Sequence, residues 1–320
     1  MRYAIPLAAP LVDELIPFWA TIFGDGLPDI ERAVFLGAEE AYSRSKLYLR
    51  REGEQVAGTC FMMHATAAPA LAGLGEVATD PHLRGRGIAT ELCSQAVADL
   101  RAAGGEALFL GTVNPVAARI YHRLGWRKLA GANVMVNLTA ALSPEEFLVD
   151  YFRRPGQVTI GPVGPDVRVP MIPLILTPHD SLVLDANVEI YSCRYRTQNS
   201  CMGLYPRYVR GLQERQGACF AARTDDGRVV GLATALPAKQ EAVAGDCQID
   251  GFVHQRFAAT WPALIEAACS WARAYGATEV GALIAAEDTE KQAVFQSLGF
   301  VCQGLAATLE HTRMTTWRVV

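Results

Sequence analysis

The sequence has no excess of either charge. Its 29 lysines and arginines stand against 33 aspartates and glutamates, mixed along 320 residues, for a formal charge of -4. The basic footprint that nucleic acid or an anionic membrane requires is missing, which excludes large polyanionic partners. No apolar run approaches the ~20 residues needed to cross a bilayer. Near the start, Asp13 and Glu14 interrupt a short apolar stretch and no small-residue cleavage site follows, so the chain reads as cytoplasmic. There is no C-x-x-C pair among the eight cysteines, and the six histidines do not cluster with them. Structural zinc is therefore not expected, and the thiols read as buried and reduced. The G-x-x-x-x-G-K-[ST] phosphate loop is absent too, and Gly85-Arg86-Gly87 does not complete G-x-G-x-x-G, because Thr90 stands where the third glycine belongs.

What is present suits two domains, since 51% apolar residues over this length can bury two cores. Texture changes around residues 143 to 166, where prolines and glycines gather; this predicts a linker between domains at 1–142 and 167–320. Within it, Ser143-Pro144-Glu145-Glu146 has the pattern of a capped helix start. The flanking halves follow one plan. KLYLRREGEQVAGTCFMMHAT and ACFAARTDDGRVVGLATAL each read as a hairpin with V-x-G opening its second strand, Val56 and Gly58 matching Val229 and Gly231 at an offset of 173. IYHRLGW and VFQSLGF match at nearly the same offset, as an internal duplication requires. Each half is expected to be an α/β layer, helices packed on a mixed sheet.

In the first half, LAGLGEVATDP reads as a strand stopped by Pro81, and Ile88, Leu92, Ala96 and Leu100 recur at near-helical spacing. The loop between them is Arg84-Gly85-Arg86-Gly87. Strand, glycine turn, helix is a geometry that gathers backbone N–H groups at the positive end of a helix and invites a phosphate. Side chains at positions 85 and 87 would hold an oxyanion off the backbone, while arginines add forked donors.

The run Arg84-Gly85-Arg86-Gly87-Ile88-Ala89 is similar to the R/Q-x-x-G-x-G/A signature of the GCN5-related N-acetyltransferase (GNAT) superfamily. About 30 residues on, NPVAARIYHRLGW resembles that family's N-x-x-A-x-x-x-Y-x-x-x-G-F/W segment through Asn114, Ala117, Tyr121, Gly125 and Trp126. The resemblance covers residues 1 to 139 and implies a tandem pair of GNAT-like domains, with acetyl-CoA as cosubstrate of the first. It further implies that the loop residues 84–89 cradle the pyrophosphate and that backbone groups of Val77, Ala78 and Thr79 pair with the pantetheine arm. By the same resemblance, Asn114 and Ala117 border that arm, and Tyr121 protonates the leaving thiolate. Glu76 is a candidate base for the attacking amine, with His64 and Asp80 as weaker alternatives. The expected reaction is direct transfer of acetyl to a primary amine of a small molecule. A non-catalytic acyl-CoA-binding or regulatory module and a protein or peptide N-acetyltransferase are the rival readings.

The second half carries Arg256-Phe257-Ala258-Ala259 at the loop, and Asp288, Lys291 and Phe295 where the first has Asn114, Ala117 and Tyr121. It reads as a degenerate copy that kept the fold, lost the cosubstrate site, and covers the acceptor groove or builds a homodimer. Two sets of residues are candidates for an acceptor site. Asp29, Glu39 and Glu40 would make an acidic groove, and Tyr191, Tyr195, Tyr205 and Tyr208 would line a pocket. Solvated helix charges and surface aromatics explain the two sets as well.

Overall fold

The computed structural model of the chain describes residues 1–24, 26, 28–237, 246–309 and 312–319. It divides into two compact units. The first holds Met1–Phe147 and two later returns of the chain, Arg168–Ile172 and Gln198–Pro206; the second holds Leu148–Val167, Pro173–Thr197 and Arg207–Val320. Among the described residues no helix is long and apolar enough to cross a membrane.

In the first unit the elements run β1 (Arg2–Ala4), α1 (Ala9–Phe23), α2 (Arg32–Phe35), β2 (Ser43–Glu52), β3 (Gln55–Ala65), β4 (Leu71–Thr79), α3 (Ile88–Ala102), β5 (Ala107–Gly111), α4 (Pro115–Arg123), β6 (Arg127–Lys128) and β7 (Val134–Leu138). The seven strands form one sheet in the order β1-β2-β3-β4-β5-β7-β6, antiparallel except for β4 beside β5. Helix α3 packs on it because Ile88, Leu92, Cys93, Ala96, Val97 and Leu100 fall on one face and are buried. They meet Tyr48, Cys60, Met62, Leu108 and Leu110 of the strands. Each isoleucine, leucine or valine among them, fully buried, contributes roughly 1.5–3 kcal/mol.

The chain continues through α5 (Pro144–Arg153), β8 (Val158–Pro162), α6 (Met171–Leu176), β9 (Val183–Asp185), β10 (Ile190–Tyr191), α7 (Leu204–Gln213), β11 (Ala218–Thr224), β12 (Val229–Pro237), β13 (Cys247–Val253), α8 (Trp261–Tyr275), β14 (Val280–Ala285), α9 (Thr289–Ser297), β15 (Val301–Leu309) and β16 (Thr312–Val319). Helix α5 begins as its spacing predicts: the Glu146 amide donates to Ser143 Oγ at 3.1 Å while the Ser143 amide donates to Glu146 Oε2 at 2.8 Å. The second sheet has the order β15-β16-β14-β13-β12-β11-β8, again with one parallel pair, β13 beside β14. Hairpin, strand, helix, strand, helix, two strands is thus built twice. The repeated V-x-G has a packing reason. A Cβ at Gly58 would lie 2.7 Å from Cγ2 of Ile88, and one at Gly231 would lie 2.6 Å from Val253 and 2.9 Å from Leu264. Both glycines let a helix settle against the strand beneath it.

Candidate active site

Strands β4 and β5 pair over only four positions, Leu71 with Ala107 to Leu74 with Leu110. Beyond them β4 bends away. Thr59 of β3 faces Ala78 and Phe61 faces Gly75, so Glu76 and Val77 together oppose Cys60 alone, a β-bulge. Glu76 takes a φ of +50, a left-handed conformation that costs a non-glycine residue about 1 kcal/mol or more. A buried relay holds it there. Trp19 Nε1 donates to Thr59 Oγ1 at 2.9 Å, and Thr59 Oγ1 donates to the Glu76 carbonyl at 2.7 Å. The bulge and the parting strands open a cavity of about 1420 Å³.

One wall is the glycine loop. Gly85 and Gly87 sit at φ +81 and +79, where only glycine is relaxed, and a Cβ on either would meet nothing within 4 Å. Gly87 is the N-cap of α3 and has no side chain to bond the first-turn amides. Those N–H groups, at the positive helix end, remain available to a ligand. Arg84, Ile88 and Ala89 also line the cavity.

The opposite wall is α4. Asn114 caps it, its Oδ1 accepting from the amides of Val116 at 2.9 Å and Ala117 at 3.4 Å. Asn114, Ala117 and Tyr121 all border the cavity. Tyr121 is 6% exposed, its ring 5.9 Å from that of Trp126. Burial, and next the thiols of Cys93 and Cys60, push its phenol well above the ordinary value, which keeps it protonated. Across the space, burial and then the charge of Asp29 raise the Glu76 carboxyl to about 7.

The last wall was not legible in the sequence. Asn199, Ser200, Cys201 and Met202, from the second return of the chain, line the cavity. Backbone hydrogen bonds tie this return to the β6–β7 turn: the Asn133 amide donates to the Gln198 carbonyl at 2.7 Å and the Gln198 amide to the Gly131 carbonyl at 3.1 Å. Met202 lies over β4, where a Cβ at Gly73 would fall 2.1 Å from its sulfur; a Cβ at Gly111 would fall 3.2 Å from Ser200 Cα. The return fits because both strands carry glycine beneath it. Arg168, from the first return, is buried with Glu39 in a two-pronged pair at 2.9 and 2.5 Å and lies 4.4 Å from the Tyr205 ring.

The cavity therefore gathers Glu76, Val77, Thr79, Arg84, Gly85, Gly87, Ile88, Ala89, Asn114, Ala117 and Tyr121. Two expected residues do not line it. The Ala78 side chain is buried beneath the strand, and Arg86 reaches back to Glu52 at 3.2 Å. His64 bonds the Pro69 carbonyl and Asp80 caps the turn after β4 at the His82 amide, so neither weaker base candidate borders the cavity. Of the acidic-groove candidates only Asp29 lines it, and none of the four tyrosines does.

The matching place in the second unit is filled by protein. Lys291, 1% exposed, donates to Asp250 Oδ1 at 2.7 Å and to the carbonyls of Val183 and Leu184, each at 3.0 Å. Pairing of β12 with β13 runs without a bulge. The partners of Gly231 and Thr234 are Val253 and Asp250, whereas those of Gly58 and Phe61 are Thr79 and Gly75, one residue further apart. The loop before α8 is wound into a 3-10 turn capped by His254, and its residues carry no glycine.

Residues 11–126 match the acetyltransferase (GNAT) family, and the chain carries a GNAT N-acetyltransferase domain there. No curated protein matches it in sequence. Similar solved structures include an N-acetyltransferase from Staphylococcus aureus, 13% identical, covering 51% of this chain and 98% of that one at a TM-score of 0.39. A spermidine N-acetyltransferase variant from Vibrio cholerae is 12% identical over 51% of this chain and 93% of its own, TM-score 0.37. A ribosomal-protein-alanine N-acetyltransferase from Brucella melitensis is 14% identical over 37% and 78%, TM-score 0.32.

Proposed function

We propose that the first unit of this GNAT acetyltransferase moves an acetyl group from acetyl-CoA to the primary amine of a small molecule by direct attack. The observation that carries the reading is the single cavity bordered at once by the glycine loop, the bulged strand, a protonated Tyr121 and a half-neutral Glu76. Its volume, about 1420 Å³, exceeds the roughly 300–1,000 Å³ of ordinary ligand pockets and suits a nucleotide-bearing cosubstrate together with an acceptor.

The loop amides of residues 85–89, with Arg84, are the fitting seat for a pyrophosphate, since they are polar, open and uncapped. Backbone of β4 from Val77 to Thr79 and the face of α4 with Asn114 and Ala117 border the place for the pantetheine arm. Acetyl-CoA supplies the activated acyl group and the thiolate leaving group. Glu76 takes the proton that an arriving ammonium must shed before it can attack. An amide N–H of the bent strand donates a hydrogen bond to the carbonyl oxygen as negative charge develops there. Tyr121 gives its proton to the departing sulfur and is reprotonated, through water, by the second proton that the acylated nitrogen sheds, while the first leaves Glu76 to solvent. Glu76 and Tyr121 are thus the catalytic pair, and no covalent acyl-enzyme is required.

The second unit is on this reading a degenerate copy, supported by Lys291 and Asp250 occupying its counterpart cavity. Eight free cysteines support a reducing, cytoplasmic setting. Release of free thiol from acetyl-CoA across a panel of amines tests the activity; no release with any amine refutes it.

The pH profile offers a sharper check on Glu76. Because its carboxyl is raised to about 7, it works as a base only above that value. Turnover should climb as pH rises through about 7 and level off beyond. Glu76→Gln should remove this limb and lower the plateau about a hundredfold. Stability should move the other way. A carboxyl raised in the folded state withdraws stability as pH climbs from its ordinary value of 4.5 to about 7 and keeps that cost above, so the glutamine variant should melt no earlier than the parent at pH 8. A retained limb in the variant would assign the base elsewhere.

A further inference from the structure

The cavity is lined by chemistry of two kinds. Its loop and α4 contribute Arg84, Arg119, Arg123 and Asn114, which suit the anionic cosubstrate. Its walls from α1, residues 28–35 and the second return are apolar, with Trp19, Phe23, Ile30, Phe35 and Met202. Among the described residues a single carboxylate, Asp29, interrupts that apolar lining, and Arg32 beside it is matched by Asp13 at 2.7 Å.

Asp29 occupies a built seat. Ser200 Oγ donates to its Oδ2 at 2.8 Å and itself accepts from the Gly203 amide at 2.9 Å. A Cβ at Gly203 would fall 2.4 Å from Asp29 Oδ1, so only glycine leaves room for the carboxylate. Arg168 holds the backbone from behind, donating to the Asp29 carbonyl at 3.3 Å. Three separate segments of the chain therefore converge to fix one carboxylate at an apolar wall. Glu76 borders the same space, its own carboxylate without a hydrogen-bond partner among the described residues and within the field of Asp29.

Resting on the acetyl-transfer reading, we infer that the acceptor is an ammonium on an apolar body free of carboxylate, with Asp29 reading its charge and Ser200 acting as a positioning residue. An ammonium between Asp29 and Glu76 satisfies both carboxylates and delivers its proton to the second. An amino acid would set its own carboxylate against the same pair, and Arg32, the cation beside Asp29, is already held by Asp13. The apolar body replaces water along Trp19, Phe35 and Met202.

Full-length protein, acetyl-CoA, and two acceptors of equal body test this: 2-phenylethylamine and phenylalanine. The amine should be turned over, with kcat/KM at least about tenfold above that of the amino acid. Asp29→Asn should raise KM for 2-phenylethylamine at least about tenfold, as loss of a charge-assisted contact does, while KM for acetyl-CoA holds. Ser200→Ala should shift the same KM less, and Ser200→Thr, which keeps the hydroxyl, should restore it. Equal use of phenylalanine, an unmoved KM in Asp29→Asn, or acetyl-CoA binding without turnover of the amine would each overturn the inference. Failure of acetyl-CoA to bind the parent protein at all is a different result, and it removes the acetyl-transfer reading beneath it.

Discussion

Gly87→Val is expected to weaken acetyl-CoA binding at least about a hundredfold in a calorimetric titration. Two effects add. At φ +79 a β-branched side chain strains the backbone by about 1–2 kcal/mol, and the loop relaxes by turning its amides away from the cavity. The new side chain also projects into the open space beside the loop, where the pyrophosphate belongs on the proposed reading. Charge-assisted hydrogen bonds lost there contribute roughly 1.5–3 kcal/mol each. Strain alone can be separated from lost binding. Gly104, at the far end of α3, has a similar φ of +75 and equally open surroundings. Valine at that position should cost comparable stability and leave acetyl-CoA affinity as it was. Should the two variants bind alike, the diphosphate is seated elsewhere.

Tyr121→Phe should separate chemistry from binding. Turnover is expected to fall by about 10²–10⁴, the usual loss when a positioned acid is removed, with acetyl-CoA affinity unchanged. The fold should tolerate the change. Phe295 stands at the corresponding place in the second unit, 0% exposed and 5.0 Å from Phe300, much as Tyr121 stands beside Trp126. Unaltered turnover would dismiss Tyr121 as the acid. Binding of acetyl-CoA without turnover in either protein would instead favour a module that senses the cosubstrate.

Local pattern accounts for most of what the sequence disclosed. The hairpins, the glycine loop opening α3, Asn114 as the cap of α4 and the capping box at Ser143 each lie within a few residues, where propensity and turn chemistry decide. The V-x-G repeat was visible as pattern, though its reason, Ile88 over Gly58, needed coordinates. Three features escaped because they are set by distant partners. Glu76 adopts a positive φ that no glutamate favours by itself, and the relay from Trp19 through Thr59 enforces it. Arg86 belongs to a loop that reads as anion-binding, yet Glu52 draws its side chain away. The wall at 199–202 lies some 120 residues beyond the β4 strand it covers, and nothing in QNSCMG announces which unit it joins. The tyrosines to either side do not border the cavity, and the four residues from Asn199 to Met202 do.

The same return bears on how this repeat can be engineered. A protein cut after residue 147, where composition invites a boundary, would lose Met202 from above Gly73 and Arg168 from beside Glu39. Glu39 would then lose the two-pronged partner that balances its charge. The two halves are consequently not exchangeable cassettes, and a shortened or shuffled version of the gene would need a substitute for residues 198–206 before its catalytic half could close.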